Sequence, residues 1–371
     1  MPRIRRRFLI DPTEVGAYHC INRCVRRTFL CGKDELSGKD YEHRRQWIQD
    51  RMQFLAAQFG VDVLGFAVMS NHIHVILRNR PDVVQNWSDN EVARRWWNVF
   101  PKRRDREGHP QEPTDFELLA ITFDAERFGE IRQRLSDVSW FMRCLVEPIA
   151  RSANREDLCR GRFWEGRFKC VPILDESALA ACLAYVDLNP IRAGIAETPE
   201  TSRFTSVYER LQVVVQPATA APVEVAPNEP TVQVTSRNSR ECSRTTRTRQ
   251  LSGAGWLSPF ELSGGTSAAR VPNERASNTG CLPMSFGEYL NLLDWTGRQI
   301  REDKRGVIPS DLAPILERLH IGGEAGWLEL MGQFSRLFRR AAGRPQSLAR
   351  EGAQRGCRLM QGIRHSRAVF F

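Results

Sequence analysis

In HIHVILRN, residues 72–79, the apolar side chains Ile73, Val75 and Leu77 occupy alternate positions, the period of a strand with one face turned to a core. VDVLGFAVM, residues 61–69, reads as a second strand, and the turn-prone Ser70–Asn71 pair joins the two in a hairpin. Upstream, Val15 to Val25 is rich in β-formers and predicts another strand. Between them the period changes. From Tyr41 to Phe59, Trp47, Met52, Phe54, Leu55 and Phe59 fall broadly on one side of a helix that Gly60 stops. Strand, helix and hairpin form the first part of an α+β sandwich, a sheet covered by helices on one face.

The pattern is then interrupted. Residues 81–131 are rich in tryptophan and charge (Trp87, Trp96, Trp97, KRRDREGHPQEP) and predict an inserted helical arm with a loop. Arg132 to Ala153 is helical again, and GRFWEGRFKCVPI, residues 161–173, brings a turn and a short strand. Asp175 caps a helix through ESALAACLAYVDL that Pro190 is expected to end. Residues 214–283 shift to Pro, Ser, Thr, Asn and Gly and read as a linker with little fixed structure, including the arginine-rich RNSRECSRTTRTRQ. Beyond it, Ser285 and Glu288 make a capping-box pattern ahead of a stripe of Phe286, Tyr289, Leu290 and Leu293. Amphipathic segments follow at Leu312–Leu319 and Trp327–Phe338, and the tail from Arg339 is basic. The predicted organisation is an α+β domain over 1–213, a linker over 214–283 and a small helical region over 284–371.

Charge adds a partner to this picture. A formal net charge of +10 over 371 residues, weighted to arginine, points to an anionic partner, nucleic acid first, because guanidinium groups pair with phosphates. No apolar run is long enough to span a bilayer, and MPRIRRRFLIDP lacks a secretory apolar core, so a cytoplasmic protein is expected, nucleoid-associated when bound to DNA. The ten cysteines form no C-x-x-C pair and read as reduced thiols, mostly in the core.

Candidate chemistry begins with His72 and His74. On a strand they point the same way, opposite to Ile73, Val75 and Leu77, and two imidazoles at that spacing suit one metal ion; two partly exposed strand residues would look the same. In the helix after Asp175, Leu179, Cys182, Leu183 and Val186 form the core stripe, while Tyr185 lies off it, in line with Ala178 and Ala181. Small side chains in front of a tyrosine leave room for a large substrate to reach its hydroxyl. One turn on, Asn189 offers a carbonyl oxygen to a metal near the tyrosine. A tyrosine at the rim of the core, bonded to backbone, is the plainer alternative.

In this order, YHCINRCVRRTFL, GFAVMSNHIHVIL, GRFWEGRFK and YVDLNPIRAG make the chain resemble the REP-associated tyrosine transposases, a branch of the HUH single-tyrosine transposases. The resemblance runs from about Pro12 to Leu211, with Pro81–Arg132 as an expansion, and does not reach the C-terminal third. It implies a ferredoxin-like or RRM-like antiparallel sheet, the HUH fold. It also implies His72 and His74 as metal ligands, Asn189 as the polar residue beside them and Tyr185 as the nucleophile. The implied ion is Mg2+ or Mn2+; by ligand softness alone two imidazoles favour manganese, zinc or nickel, whereas an amide oxygen and a phosphate favour magnesium or manganese.

The implied activity is cleavage and rejoining of single-stranded or hairpin DNA with short inverted repeats, through a 5′-phosphotyrosine, by a monomer or homodimer. Arg23, Arg26, Arg27, Arg162, Arg167 and Lys169 sit beside the matching motifs as candidate phosphate contacts, and Arg3, Arg5, Arg6 and Arg7 as a basic arm. Phe163 and Trp164 are candidates either for base stacking or for packing. One departure is the long insertion, which would alter substrate geometry if it covered the DNA channel. Two other readings stay open: a hairpin-binding module that does not cut, and a replication initiator or relaxase with the same histidine and tyrosine chemistry.

Overall fold

In the computed structural model, the described residues are 9–25, 30–34, 38–215, 253–261, 274–300, 321, 323–357 and 360–370. Four strands, β1 (Ala17–Arg23), β2 (Val61–Val68), β3 (His72–Asn79) and β4 (Lys169–Ile173), make one sheet in the order β2-β3-β1-β4 with every neighbouring pair antiparallel. Helix α1 (His43–Gln58) connects β1 to β2. The chain returns to β4 through four helices, α2 (Pro81–Gln85), α3 (Asp89–Val99), α4 (Asp115–Thr122) and α5 (Ala125–Arg134), and then α6 (Val138–Glu156). Without the insertion this is β-α-β-β-α-β, the ferredoxin-like arrangement expected from the sequence.

One face of the sheet is packed as the period-two pattern predicts. Tyr18, Cys20, Phe66, Ile73, Val75 and Leu77 meet Ile48, Met52 and Leu55 of α1 and Phe141, Leu145 and Ile149 of α6. The other face is covered as well. Leu64, Ile76, Val171 and Ile173 pack against α7 (Glu176–Asp187), and behind it lie α10 (Phe286–Ile300) and α11 (Gly323–Leu337), with Leu293, Trp295, Trp327 and Phe334 in the same cluster. Burial on both sides explains why every position of β2 is buried. At Gly65 the helix comes so close that a Cβ would sit 2.5 Å from a methyl of Leu183, so any larger residue would push Leu183 aside.

The insertion lies away from that second face. Its own small core is Val84, Trp87, Val92, Phe128, Ile131 and Leu135. Arg95 of α3 donates to the Ala57 carbonyl, Asn98 donates to Gln58 at 3.0 Å, and Trp96 stands 5.9 Å from Trp140 of α6, ring centre to ring centre. These contacts fasten it beside α1 and α6, on the side of the sheet opposite to His72 and His74.

Part of the stretch expected to be a linker is packed. Trp256 and Leu257 are buried in the α1–α6 core, Phe260 lies in the other, and the Ser258 amide donates to the Val63 carbonyl at 3.0 Å. Arg78 and Arg80 join buried Asp62 to Ser277 and Thr279, which screens the edge strand β2. Three large apolar side chains and two arginine clamps hold what average composition described as loop. Residues 216–252, with the arginine-rich run, and the Leu312–Leu319 segment lie outside the described residues.

The C-terminal helices are tied to α7 by polar contacts too. The Tyr289 hydroxyl donates to Asp187 at 2.7 Å, and the other carboxylate oxygen accepts from the Ser206 hydroxyl and the Val207 amide. Burial pushes the Asp187 carboxyl above its usual range, against these three donors. Helix α9 (Ser206–Val215) precedes the segment outside the described residues, and α12 (Pro345–Gln354) and α13 (Ile363–Val369) complete the chain. No described helix is long and apolar enough to cross a membrane.

Candidate functional site

Strand register builds the floor of the site. His74 stands opposite Ile21 of β1, which stands opposite Lys169 of β4. One step inward the row is Ile76, His19 and Val171; one step outward His72 faces Arg23. Paired residues share a face, so three histidines and two basic side chains lie on the side of the sheet that meets α7. The Ser70–Asn71 turn is held in place because its carbonyls accept from the amides of Cys24, Leu30 and Cys31 at 3.0–3.1 Å.

Helix α7 supplies the roof. Asp175 caps it as expected, accepting from the Ala178 amide at 2.9 Å. Tyr185 hangs from its underside with its ring centre 5.8 Å from that of His74 and 6.3 Å from that of His19. Pro190 does not end the helical path: after Leu188 a short helix, α8 (Asn189–Arg192), starts at once, with the proline in its first turn where no amide hydrogen is needed. That turn brings the Asn189 side-chain nitrogen to 3.3 Å from His74 Nε2. Tyr185, Asn189, His72 and His74 therefore meet, although more than a hundred residues separate the strand from the helix.

The imidazoles form a connected row. His72 Nε2 is 3.0 Å from His74 Nε2, and His74 Nδ1 is 2.8 Å from His19 Nε2. The Asn71 side-chain oxygen lies 2.6 Å from His72 Nδ1. Only an N–H can face that oxygen, so His72 carries its proton on Nδ1 and leaves a lone pair on Nε2. Burial is the largest cause that keeps all three rings neutral: His19 falls to about 3, His72 to about 4 with Arg23 and Lys169 adding repulsion, and His74 lies well below its ordinary value. Neutral imidazoles are the form that binds metal ions.

Two residues of this site carry no signal in the sequence. His19 sits in YHCINRC, where a single histidine has no spacing partner; only the pairing of β1 with β3 brings it beside His74. Phe334, fully buried on α11, stacks on Tyr185 with ring centres 5.4 Å apart. Arg192 reaches over the same tyrosine ring at 5.4 Å and donates to the carbonyls of Met331 and Gly332. The open room expected beside Ala178 and Ala181 is absent: both alanines are fully buried, and α7 is enclosed between the sheet and the C-terminal helices. Tyr185 stays half-buried.

Among the candidate DNA contacts, Arg23 and Lys169 are exposed on the histidine face, and Arg162 and Arg167 are exposed on the segment leading into β4. Arg23 has Glu165 for a neighbour at 3.8 Å, an exposed pair of little energetic weight. Arg26, Arg27 and the N-terminal arginines lie outside the described residues. Trp164 is a correction. It is buried with Phe163 in the α1–α6 core, and its indole N–H donates to the Val146 carbonyl at 2.9 Å, so no ring face is left for a base. Trp164→Ala should lower stability by about 3–5 kcal/mol, as for other buried aromatics. In denaturant melts Trp164→Phe should lose much less, with hairpin affinity of the folded protein unchanged for both.

A second cluster of possible metal donors, Asp105, Glu107 and His109, lies exposed in the insertion. Its geometry is that of a turn: Asp105 accepts from the amides of Glu107 and His109 at 2.9 and 2.8 Å.

No family model and no curated protein matches the chain. Among solved structures, that of a REP-associated tyrosine transposase bound to a REP hairpin is 11% identical and covers 63% of this chain and all of its own, with a TM-score of 0.34. A likeness of that degree says nothing of chemistry.

Proposed function

We propose that the chain is a metal-assisted transposase of the single-tyrosine kind, which cleaves and rejoins single-stranded or hairpin DNA. The observation that carries this reading is the meeting of a half-buried tyrosine with two neutral imidazoles and a side-chain amide on a face rimmed by basic residues.

The donor set fits a divalent ion. Two Nε2 atoms 3.0 Å apart have the spacing of neighbouring ligands on one cation, given bonds of about 2.1 Å meeting near a right angle. A half-turn of the Asn189 amide would exchange its nitrogen for its oxygen and add a third donor. His72, His74 and Asn189 would hold Mg2+ or Mn2+. Such an ion withdraws charge from a scissile phosphate and fixes it for in-line attack. All three protein donors are neutral, so the ion keeps its full charge for the anionic substrate.

Tyr185 would supply the nucleophile. Its phenol gives up a proton to solvent, its oxygen bonds to phosphorus, the bond from phosphorus to the 3′ oxygen breaks, and that oxygen takes up a proton from solvent, leaving a 3′-hydroxyl and a 5′-phosphotyrosine. Another 3′-hydroxyl can reverse the step, so strands are exchanged without ATP. Arg23, opposite His72 on β1, and Lys169, one strand further on β4, would take the flanking phosphates.

The test is incubation with a hairpin bearing a single-stranded foot and Mn2+ or Mg2+, followed by denaturing electrophoresis. A covalent protein–DNA band and a free 3′-hydroxyl product are expected. One observation favours a second reading, a hairpin binder that does not cut: Phe334 stacked on Tyr185 already occupies one face of the phenol. Salt-sensitive binding with no cleavage under either ion would select it. Arg23→Ala and Lys169→Ala should each weaken hairpin binding and lower the slope of log K against log salt by about 0.7–0.9. Filter binding at several salt concentrations measures this, and an unchanged slope would remove both residues from the interface.

A further inference from the structure

We propose that His19 is a positioning residue for His74: by taking a hydrogen bond from His74 Nδ1, it determines that Nε2 of His74 faces the cation. The inference rests on the metal reading of His72 and His74 and goes beyond it to a residue on another strand.

Proton bookkeeping along the row carries the argument. Asn71 fixes His72 with its proton on Nδ1 and a lone pair on Nε2. With no cation held, and with the Asn189 amide turned so that its oxygen faces His74 Nε2, one consistent chain of donors runs from His19 Nε2–H to His74 Nδ1, and from His74 Nε2–H to His72 Nε2. A cation between His72 and His74 needs lone pairs on both Nε2 atoms. His74 must then carry its proton on Nδ1, and among the described residues the group within hydrogen-bond distance of Nδ1 is His19 Nε2 at 2.8 Å. His19 has to accept there, so its own proton must sit on Nδ1. Both rings change tautomer together, and no net proton is taken up or lost.

The surroundings make this coupling strict. His74 is 3% and His19 2% exposed, so water does not readily replace either partner. A buried N–H left without an acceptor is costly. The two rings lie nearly parallel, 22° apart, with centres 5.1 Å from each other, and Phe334 and Tyr185 hem His19 in. Ligating histidines are commonly oriented by a hydrogen bond from their second nitrogen, and loss of such a partner typically costs 10–100-fold in metal affinity.

The experiment uses the full chain with two variants. His19→Phe keeps a ring of similar size but cannot accept a hydrogen bond; His19→Gln restores an acceptor oxygen at a similar reach. Manganese affinity, read by electron paramagnetic resonance, should fall about 10–100-fold in His19→Phe and recover to within a few-fold of wild type in His19→Gln. Long-range proton–nitrogen spectra of the histidine side chains, with Zn2+ as a diamagnetic probe, should show His74 and His19 of the wild type moving together to the Nδ1–H form. This wild-type spectrum decides the matter even if His19→Phe does not fold. A response at His72 and His74 with none at His19, or full manganese affinity in folded His19→Phe, would overturn the proposal alone. No metal response at His72 and His74 in the wild type would overturn the metal site and this proposal with it.

Discussion

Tyr185→Phe should abolish the covalent protein–DNA adduct while leaving hairpin affinity within about twofold of wild type. The phenol oxygen is the only atom removed, so the stack on Phe334 and the edge contacts to His74 and His19 stay in place. None of the contacts of Tyr185 described above is a hydrogen bond through its hydroxyl, and the fold should not notice the change. Removal of a nucleophile from a site whose other parts remain costs on the order of 10⁴-fold or more in rate. The measurement is adduct formation on a hairpin with a single-stranded foot, in Mn2+, alongside binding at matched salt. Equal adduct in the variant would move the nucleophile elsewhere. Two of the other tyrosines are poorly suited: Tyr18 is buried on the opposite face of the sheet, where burial raises its hydroxyl well above the usual phenol range, and Tyr289 is committed to Asp187.

How much of this was legible before the structure differs between neighbours in space. The histidine strand was readable because side-chain direction follows from a period of two: with Ile73, Val75 and Leu77 inward, His72 and His74 had to share the other face. The capped helix after Asp175 was readable for the same kind of reason, and Tyr185 lies off its core stripe as its position predicts. His19 was not readable, because its neighbours across the sheet are set by strand order and register, which no local pattern encodes. The second covered face left one trace that an analysis of alternation alone passes over. VDVLGFAV has apolar residues on both faces, the mark of a strand buried on two sides, and the C-terminal helices are what covers the second.

The coverage also reverses an expectation about access. A long insertion beside a binding channel would be the natural obstruction, yet it packs behind α1 and α6. What stands over the tyrosine is α11, through Phe334 and the carbonyls that Arg192 holds. A phosphate reaching His72 would have to come from the rim where Arg23 and Lys169 are exposed, since His72 is the only one of the three imidazoles that is not buried.

The metal itself gives the last large effect. His74→Ala should lower manganese affinity by at least 10²-fold and remove adduct formation, because it deletes the ring that touches His72, Asn189 and His19 at once. Chelation should do the same reversibly in the wild type. His72→Asp separates two roles that alanine confounds. A carboxylate in place of His72 keeps a donor and adds a negative charge, so the free protein should hold the cation at least as well as wild type. The same charge repels the scissile phosphate and cancels part of the pull on it, so adduct formation should slow by an order of magnitude or more. Titration of manganese without DNA, set against the rate of adduct formation, reads the two effects apart. If His72→Asp instead kept both affinity and rate at wild-type values, the neutrality of the donor set would have no part in the chemistry; a loss of affinity would show that a carboxylate cannot replace the imidazole there.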